Sequence, residues 1–288
     1  MMYEMKDIDD EINRICSFIK QYVAKTKSDG VIIALSGGLD SAVVAVLSTK
    51  AIGTENVHCY FLRYKYASLE IDKRHTDALC KKFGLTYEEN RFVSKSTKTS
   101  SESRSSKTSF FYQMIRQAAD TVNTFIVNNE YLLMIFGNID AIMRAGYLYK
   151  KANEHNSLVL GTTNRSERLT GYFTKFDQCE CDLQPILHLY KTEIFEVAKH
   201  LGIPNEIINR VPSADFWYRQ TGEKGLTCQK VDKILLEVEK IGIDTQDQEV
   251  NEATKNEVSQ VIQMVKRAKQ KQKDRFPPCL EYEGFYEQ

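Results

Sequence analysis

The chain has 288 residues, of which 42% are hydrophobic, and can therefore bury the core of one large domain or two small ones. Its 39 basic and 39 acidic residues cancel, which argues against a protein that binds nucleic acid through its overall charge. No stretch approaches the roughly 18 apolar residues of a membrane span, no signal peptide is recognisable, and the seven scattered cysteines suit a reducing compartment. We therefore expect a cytoplasmic protein without nucleic-acid or membrane partners.

The first third of the chain alternates predicted helices and strands. Residues 7–27 carry apolar side chains at helical spacing, and an apolar strand over 31–35 follows. A second strand over 57–62, a helix over 69–83 and a third strand over 85–93 continue the alternation. This order predicts an α/β fold with a doubly wound, Rossmann-like parallel sheet flanked by helices, whose ligands lie beyond the carboxyl ends of the strands.

A loop of small residues, SGGLDS over 36–41, follows the first predicted strand and is called the 36–41 loop below. Its glycines allow close backbone approach, and the helix that follows offers unpaired N–H groups, which together favour a phosphate site. Asp40 would repel phosphate unless a cation stood between them, so it indicates Mg²⁺ bound with a polyphosphate. The alternative is a strand-to-helix turn capped by Ser36 or Ser41, without any ligand.

The middle of the chain contains a polar segment. Residues 94–109 are nearly all polar and cannot bury enough area to offset the cost of ordering, so we expect a loop that either covers a ligand or is a solvated insertion. Two helices over 110–127 and 132–153 follow, and then a buried strand over 158–161. The polar residues after that strand should face the same crevice as the 36–41 loop.

These polar residues are 162–167, TTNRSE. Glu167 is either a second carboxylate for the metal or part of the first turn of a helix. In the second case the helix is capped by Thr163 or Asn164 and needs no ligand. The residues alone leave both interpretations open.

The series of motifs resembles the ammonia-dependent NAD synthetases, a family of the PP-loop ATP pyrophosphatase group with the adenine nucleotide α-hydrolase fold. The resemblance covers about residues 7–280 and implies a single PP-loop domain over 1–288, with an insertion at about 94–109 and a helical C-terminal part from about 190. The motifs that carry it are SGGLDS at 36–41, GNI at 137–139, LVLGT at 158–162, GYFTK at 171–175, PI at 185–186, KT at 191–192, LGIP at 201–204 and PSAD at 212–215.

The resemblance implies the ATP-dependent amidation of nicotinic acid adenine dinucleotide to NAD through an acyl-adenylate, with ammonia as the nitrogen donor. It implies catalysis by Asp40, Lys175 and Lys191, and Mg²⁺ held by Asp40 and Glu167. The residues implied to bind ATP are Ser36, Gly37, Gly38, Leu39, Asp40, Ser41, Thr162, Lys191 and Ser213. Those implied to bind the acid substrate are Arg144, Lys175, Asp182 and Lys273.

The resemblance also implies a homodimer that uses free ammonia or ammonia from a separate partner. Apolar side chains on the helix over 132–153 suit either a dimer interface or the core of the chain. These side chains belong to Phe136, Ile139, Met143, Leu148 and Tyr149.

The chain departs from the family pattern on the side of the acid substrate. Ile142 replaces one arginine of a pair in which Arg144 remains, DQCEC at 177–181 replaces a glycine-rich loop, and QKD at 272–274 replaces His-Lys-Arg. Losing one partner of a buried charge contact costs about 2–5 kcal/mol. Three hypotheses stay open: an NAD synthetase, a related amide synthase for another carboxylate, and an ATP-binding relative without turnover.

Overall fold

The computed structural model describes residues 7–63, 70–91, 130–172, 181–210, 226–241, 252–271 and 279. The strands in these ranges are β1 Gly30–Ala34, β2 Val57–Arg63, β3 Tyr87–Arg91 and β4 Ser157–Leu160. The α-helices are α1 Ile8–Thr26, α2 Leu39–Ile52, α3 Glu70–Phe83, α4 Glu130–Glu154, α5 Arg165–Thr170, α6 Lys191–His200, α7 Asn205–Ile208, α8 Cys228–Ile241 and α9 Glu252–Lys271. In the described ranges, none of the helices combines the length and apolarity needed to cross a bilayer.

The four strands form one parallel sheet in the order β3-β2-β1-β4. Ile33 of β1 lies opposite Cys59 of β2 on one side and Leu160 of β4 on the other. The chain leaves β1 towards β2 and β3 and returns to β4 on the opposite side, so the strand order reverses between β1 and β4. Ligands of open α/β sheets bind at such a reversal, beyond the carboxyl ends of the strands. The predicted doubly wound parallel sheet is confirmed.

Both faces of the sheet are covered by helices. Val31 and Ile33 pack into the core formed with α1 and α2, whereas the intervening Ile32 packs on the opposite face with Leu148 of α4. Successive side chains of a strand point to opposite faces, and here both faces are apolar. Because β1 is held between two layers, the loop that follows it starts from a fixed point.

The C-terminal helices form a separate apolar cluster beside α5 and α6. Tyr190, the residue before α6, is fully buried with Val231 and Leu235 of α8 and with Val261 and Val265 of α9. This packing places α8 directly behind the first turn of α6.

The predicted elements within the described ranges agree with the structure to within two residues, and one of these differences, at the start of the third strand, has a clear physical cause. We predicted a strand over 85–93, but β3 begins at Tyr87. Gly84 adopts a left-handed φ of 69°, and the Leu85 N–H donates to the Cys80 carbonyl of α3. Leu85 therefore belongs to the end of the helix. The predicted loop over 94–109 and helix over 110–127 lie outside the described residues.

Candidate active site

The 36–41 loop joins β1 to α2 and is held by its own hydroxyl groups. Ser36 Oγ lies 3.1 Å from Ser41 Oγ and accepts a hydrogen bond from the Gly38 N–H at 3.2 Å. Ser41 Oγ accepts from the Ser36 N–H at 3.2 Å and donates to the Gly38 carbonyl at 3.1 Å. The N-cap of α2 is Gly38, with no side-chain capping bond in the described structure, so neither serine caps the helix.

Helix α3 and Arg210 hold the same loop from outside. Gly37 has a left-handed φ of 72°, and a Cβ atom at this position would overlap with the backbone of Asp72. The Gly37 carbonyl oxygen lies 3.2 Å from His75 Nδ1 and accepts a hydrogen bond from Arg210 Nη1 at 3.3 Å. Arg210 also forms an ion pair with Asp72 at 2.5 Å. The direction of the Gly37 peptide is thereby fixed by residues distant in the sequence.

Asp40, in the first turn of α2, contacts two residues from later in the chain. Its Oδ1 accepts a hydrogen bond from Asn164 Nδ2 at 3.0 Å, and its Oδ2 forms an ion pair with Lys191 Nζ. Asn164 is the N-cap of α5, which follows β4, and Lys191 is the first residue of α6. The reversal of strand order thus brings together side chains that are 124 and 151 positions apart.

Glu167 lies beside this ion pair and forms a capping box with Asn164. The Glu167 N–H donates to Asn164 Oδ1 at 2.9 Å, and the Asn164 N–H donates to Glu167 Oε2 at 3.2 Å. The predicted capping is therefore observed, with Asn164 as the cap. We call Asp40, Asn164, Glu167 and Lys191 the charged cluster.

The electrostatics of the charged cluster follow from burial and from two neighbouring carboxylates. Burial, together with the negative charge of Asp40, raises the pKa of Glu167 to about 8, although Lys191 opposes the shift. Burial disfavours the Lys191 ammonium, but the carboxylates of Asp40 and Glu167 outweigh it and raise the pKa of Lys191. Burial and then the same two carboxylates raise the pKa of Tyr172. The cluster therefore presents a charged ammonium beside two carboxyl groups, of which Glu167 is shifted towards its protonated form.

This donor set suits Mg²⁺. The ion prefers oxygen ligands and is commonly bound by one or two carboxylates together with substrate phosphates and waters. Asp40 and Glu167 offer two carboxylates, and the described ranges contain no group of three or more His, Cys, Asp or Glu side chains that could hold a metal. Asp40 and Glu167 therefore fit a metal that also binds the phosphates of a nucleotide.

The other predicted site residues are only partly described. Thr162 follows β4 and is half-buried. Arg144 is half-buried on α4. Asp182 Oδ2 accepts from the Val159 N–H of β4 at 2.8 Å, and its Oδ1 lies 3.5 Å from the Tyr149 hydroxyl, so this side chain also anchors its own segment to the sheet. The predicted residues outside the described ranges are Lys175, Ser213 and Lys273, together with the substituted positions Gln178 and Asp274.

Two contributions to the site are not predicted by the sequence: the contact of Asn164 with Asp40, and Asp232. Asp232 of α8 is buried and accepts hydrogen bonds from Ser166 and from the backbone of Thr192. Its signal in the sequence is weak: it is an acidic residue on the apolar side of an amphipathic helix, next to Val231. Such a residue indicates a buried polar contact without naming the partner.

Comparison with known proteins identifies the family. A family model described as NAD synthase matches residues 11–275. The chain belongs to the NAD synthase family. This confirms the resemblance inferred from the ordered motifs, and the match spans both the 36–41 loop and the charged cluster.

Relatives of known name are similar over most of their length. The NH(3)-dependent NAD(+) synthetase of Thermococcus sibiricus is 36% identical over 273 residues, which cover 91% of this chain and 94% of the relative. The enzyme of the same name from Helicobacter pylori strain HPAG1 is 35% identical over 236 residues, covering 81% of this chain and 80% of the relative. This member of the NAD synthase family therefore matches such enzymes over four fifths or more of their length.

Solved structures share the fold. The NH3-dependent NAD synthetase of Campylobacter jejuni, in complex with a nitrate ion, superposes with a TM-score of 0.64 at 28% identity, covering 96% of this chain and 99% of the other. The NMN synthetase of Francisella tularensis superposes with a TM-score of 0.68 at 23% identity, covering 94% and 98%. At that identity the second likeness speaks for the fold alone.

Proposed function

We propose that this NAD synthase family member amidates nicotinic acid adenine dinucleotide to NAD, with ATP as the energy source and ammonia as the nitrogen donor. It is a ligase that forms a carbon–nitrogen bond. The observation that carries the proposal is the meeting of Asp40, Glu167 and Lys191 at the carboxyl ends of β1 and β4. The names of the relatives from Thermococcus sibiricus and Helicobacter pylori support the choice of ammonia and of NAD as the product.

The reaction has two steps. A carboxylate oxygen of the acid attacks the α-phosphorus of ATP, and the bond from this phosphorus to the bridging oxygen breaks, which releases pyrophosphate. Ammonia then attacks the acyl carbon of the adenylate. AMP leaves with the oxygen that bridged the acyl carbon and the phosphorus, and the nitrogen loses a proton to give the amide. Both steps proceed through anionic states, so they need positioning and neutralisation of charge more than covalent help from the protein.

The residues of the site suit these needs. The backbone of the 36–41 loop and the start of α2 can hold the phosphates of ATP, because N–H groups at a helix start bind anions. The Lys191 ammonium supplies a compact positive charge beside the loop. Asp40 and Glu167 would hold Mg²⁺, which would neutralise charge on the phosphates. Roles for Lys175, Ser213 and Lys273, the Mg²⁺ requirement and a cytoplasmic location stay predictions.

A direct assay tests the proposed activity. Purified protein is incubated with Mg-ATP, ammonium and nicotinic acid adenine dinucleotide, and AMP, ADP, pyrophosphate and NAD are measured separately. We expect one AMP and one pyrophosphate for each NAD, and no ADP. The appearance of ADP in place of AMP would contradict an acyl-adenylate.

The same assay separates the alternatives. Because Ile142 stands where the family has an arginine, nicotinic acid mononucleotide and other carboxylic acids are offered in parallel. AMP formed only with another acid would identify an amide synthase of different specificity. Protection of the protein against thermal unfolding by ATP, without AMP release for any acid, would identify a binding protein without turnover.

We also infer a homodimer. Ile142 and Met143 on α4 are 47% and 50% exposed, which is unusual for large apolar side chains. Leu148 of the predicted stripe is instead buried in the core of its own chain, and the side chains of Phe136 and Ile139 lie outside the described residues. Light scattering after size exclusion should give twice the mass of the chain, and Ile142→Glu should shift it towards that of one chain. A monomeric wild-type protein would contradict the inference.

A further inference from the structure

One buried carboxylate joins the two helices that carry Glu167 and Lys191. Asp232 of α8 is 2% exposed and accepts hydrogen bonds from Ser166 Oγ at 2.5 Å and from the Thr192 N–H at 2.8 Å. Ser166 Oγ in turn accepts a hydrogen bond from the Lys191 N–H at 2.8 Å. Ser166 directly precedes Glu167, and Thr192 directly follows Lys191. Asp232 is therefore bonded to the immediate sequence neighbour of each of these two residues.

These bonds fix the start of α6 relative to α5. The first N–H groups of a helix have no partner within the helix. At the start of α6, the N–H of Lys191 is bound by a side chain of α5, and that of Thr192 by a side chain of α8. Because the two oxygens of the Asp232 carboxylate accept hydrogen bonds from α5 and from α6, sliding α5 against α6 would break at least one of these bonds.

Burial makes this connection stiff. A carboxylate enclosed in protein needs hydrogen-bond donors, and water cannot easily replace donors that are lost. Asp232 is buried beside Val231 on α8, and Val231 and Leu235 pack on Tyr190. The separation of Glu167 from Lys191 is thus set by a helix that carries neither of them.

We propose that Asp232 is a positioning residue for the adenylation step. It holds the Lys191 ammonium and the Glu167 carboxylate at the spacing that ATP and its metal need. The inference rests on the proposed ATP-dependent function and adds a residue to it. Asp232 acts through Ser166 and Thr192, the hydrogen-bond partners described for its side chain.

Two substitutions at Asp232 test the proposal. Asp232→Asn keeps a carbonyl oxygen for the Thr192 N–H but turns an amide NH2 towards Ser166, whereas Asp232→Ala removes both contacts. Misplacing a reacting group by about 1 Å can cost about 100-fold in rate. We expect kcat to fall about tenfold for Asn and about 100-fold for Ala, with the KM for the acid changed less than about twofold.

A double-mutant cycle asks whether Asp232 acts through Ser166. Ser166→Ala alone should lower kcat about tenfold, because it removes the hydrogen bond that connects α5 to Asp232. Adding Ser166→Ala to Asp232→Ala should lower kcat little further, since one connection is already broken. Losses that simply multiply would overturn the proposed route.

Glu11→Gln is the matched control. Glu11 is 3% exposed and lies 2.6 Å from His188 Nε2, so the change also removes a buried carboxylate, but from a different contact. Its melting temperature should fall, while kcat and the Kd for Mg-ATP stay within about twofold of the wild type. A purely structural role for Asp232 would give the same pattern as Glu11.

Binding of Mg-ATP, measured by calorimetry without acid, separates this inference from the proposed function. We expect the Kd to rise about tenfold in Asp232→Ala. If the wild type makes no NAD, the proposed function is contradicted. The Kd for Mg-ATP can still be compared between the wild type and Asp232→Ala, and it still tests the positioning role. Folded Asp232→Ala with kcat and Kd within twofold of wild type would overturn the positioning role. If Asp232→Ala fails to fold, Asp232→Asn and Ser166→Ala decide by the same criteria.

Discussion

The 36–41 loop and the charged cluster lie side by side but are built differently. The loop is held largely by serine hydroxyls and peptide groups of consecutive residues, between Ser36 and Ser41. The cluster is assembled from side chains at the starts of α2, α5 and α6, and Asp40 lies 124 and 151 positions from Asn164 and Lys191. The loop is therefore mostly local structure, whereas the cluster exists only when the sheet and the C-terminal helices have packed.

This difference separates two kinds of sensitivity. A substitution in the loop changes stability through the backbone conformation. Its cost depends on how close the added atoms come to the neighbouring backbone. A change in the cluster acts through charge, because the neighbouring charges shift the pKa values of Glu167 and Lys191. Substitutions of the residue shared by both regions, of the loop and of the surroundings of the cluster therefore test this difference.

Asp40→Asn should have the largest effect, since Asp40 belongs to both regions. Loss of its charge removes the partner of Lys191 and one of the two proposed Mg²⁺ ligands. We expect AMP formation to fall at least about 1000-fold, or about 4 kcal/mol, with a native circular dichroism spectrum. Asp77→Asn, which removes an exposed carboxylate 2.9 Å from Lys73, is the control and should retain activity. Turnover of Asp40→Asn within tenfold of wild type would rule out the metal role.

Gly37→Ala tests the loop. The side chain must adopt a left-handed φ of 72° and meets the backbone of Asp72, so we expect a loss of about 3 kcal/mol in the free energy of unfolding. Gly84→Ala is the matched control, because Gly84 has a φ of 69° but no atom within 4 Å of an added Cβ. It should cost only about 1 kcal/mol. Urea denaturation measures both, and equal losses would mean that the close approach to Asp72 has no energetic consequence.

Glu193→Gln tests the surroundings of the cluster. Burial raises the pKa of Glu193 to about 8 from an ordinary value of 4.5, although the Tyr190 N–H donates to the carboxylate at 2.7 Å. As the pH rises through this interval, the unfolded chain loses the proton and the folded protein keeps it, so the wild type loses stability. Glutamine does not titrate and can still accept from the Tyr190 N–H.

The variant should therefore match the wild type near pH 4, below the ordinary pKa of 4.5. Near pH 8.5 it should be more stable than the wild type, by on the order of 2 kcal/mol. Urea denaturation at the two pH values gives the comparison. A difference in unfolding free energy that does not change with pH would contradict a neutral, buried Glu193.

The same division explains what the sequence could predict. The sheet and the 36–41 loop follow from short patterns, because apolar runs and glycines act within a few residues of themselves. The topology then predicts that Glu167 faces the crevice of Asp40, since both follow neighbouring parallel strands. The resemblance to the NAD synthetases added Lys191, whose ion pair with Asp40 lies at that crevice.

What could not be predicted depends on which faces of the helices meet. The sequence indicates Asn164 only as a helix cap, and its contact with Asp40 requires β1 and β4 to be neighbours in the sheet. Asp232 finds Ser166 only through the packing of α8 against α5 and α6. The sequence leaves two roles open for Glu167, a metal ligand or part of the first turn of a capped helix. In the structure Glu167 forms the capping box and also lies close enough to Asp40 for the charge of Asp40 to raise its pKa. Local propensity carries no information about such distant partners.

Both polar atoms of the Asn164 amide form hydrogen bonds. Its oxygen accepts from the Glu167 N–H, and its nitrogen donates to Asp40. Aspartate caps a helix as well as asparagine does, but here it would set a second carboxylate against Asp40, and serine has a shorter reach and a single polar atom. The mutational tolerance of this position is therefore much narrower than that of an ordinary helix start, and asparagine alone meets both demands.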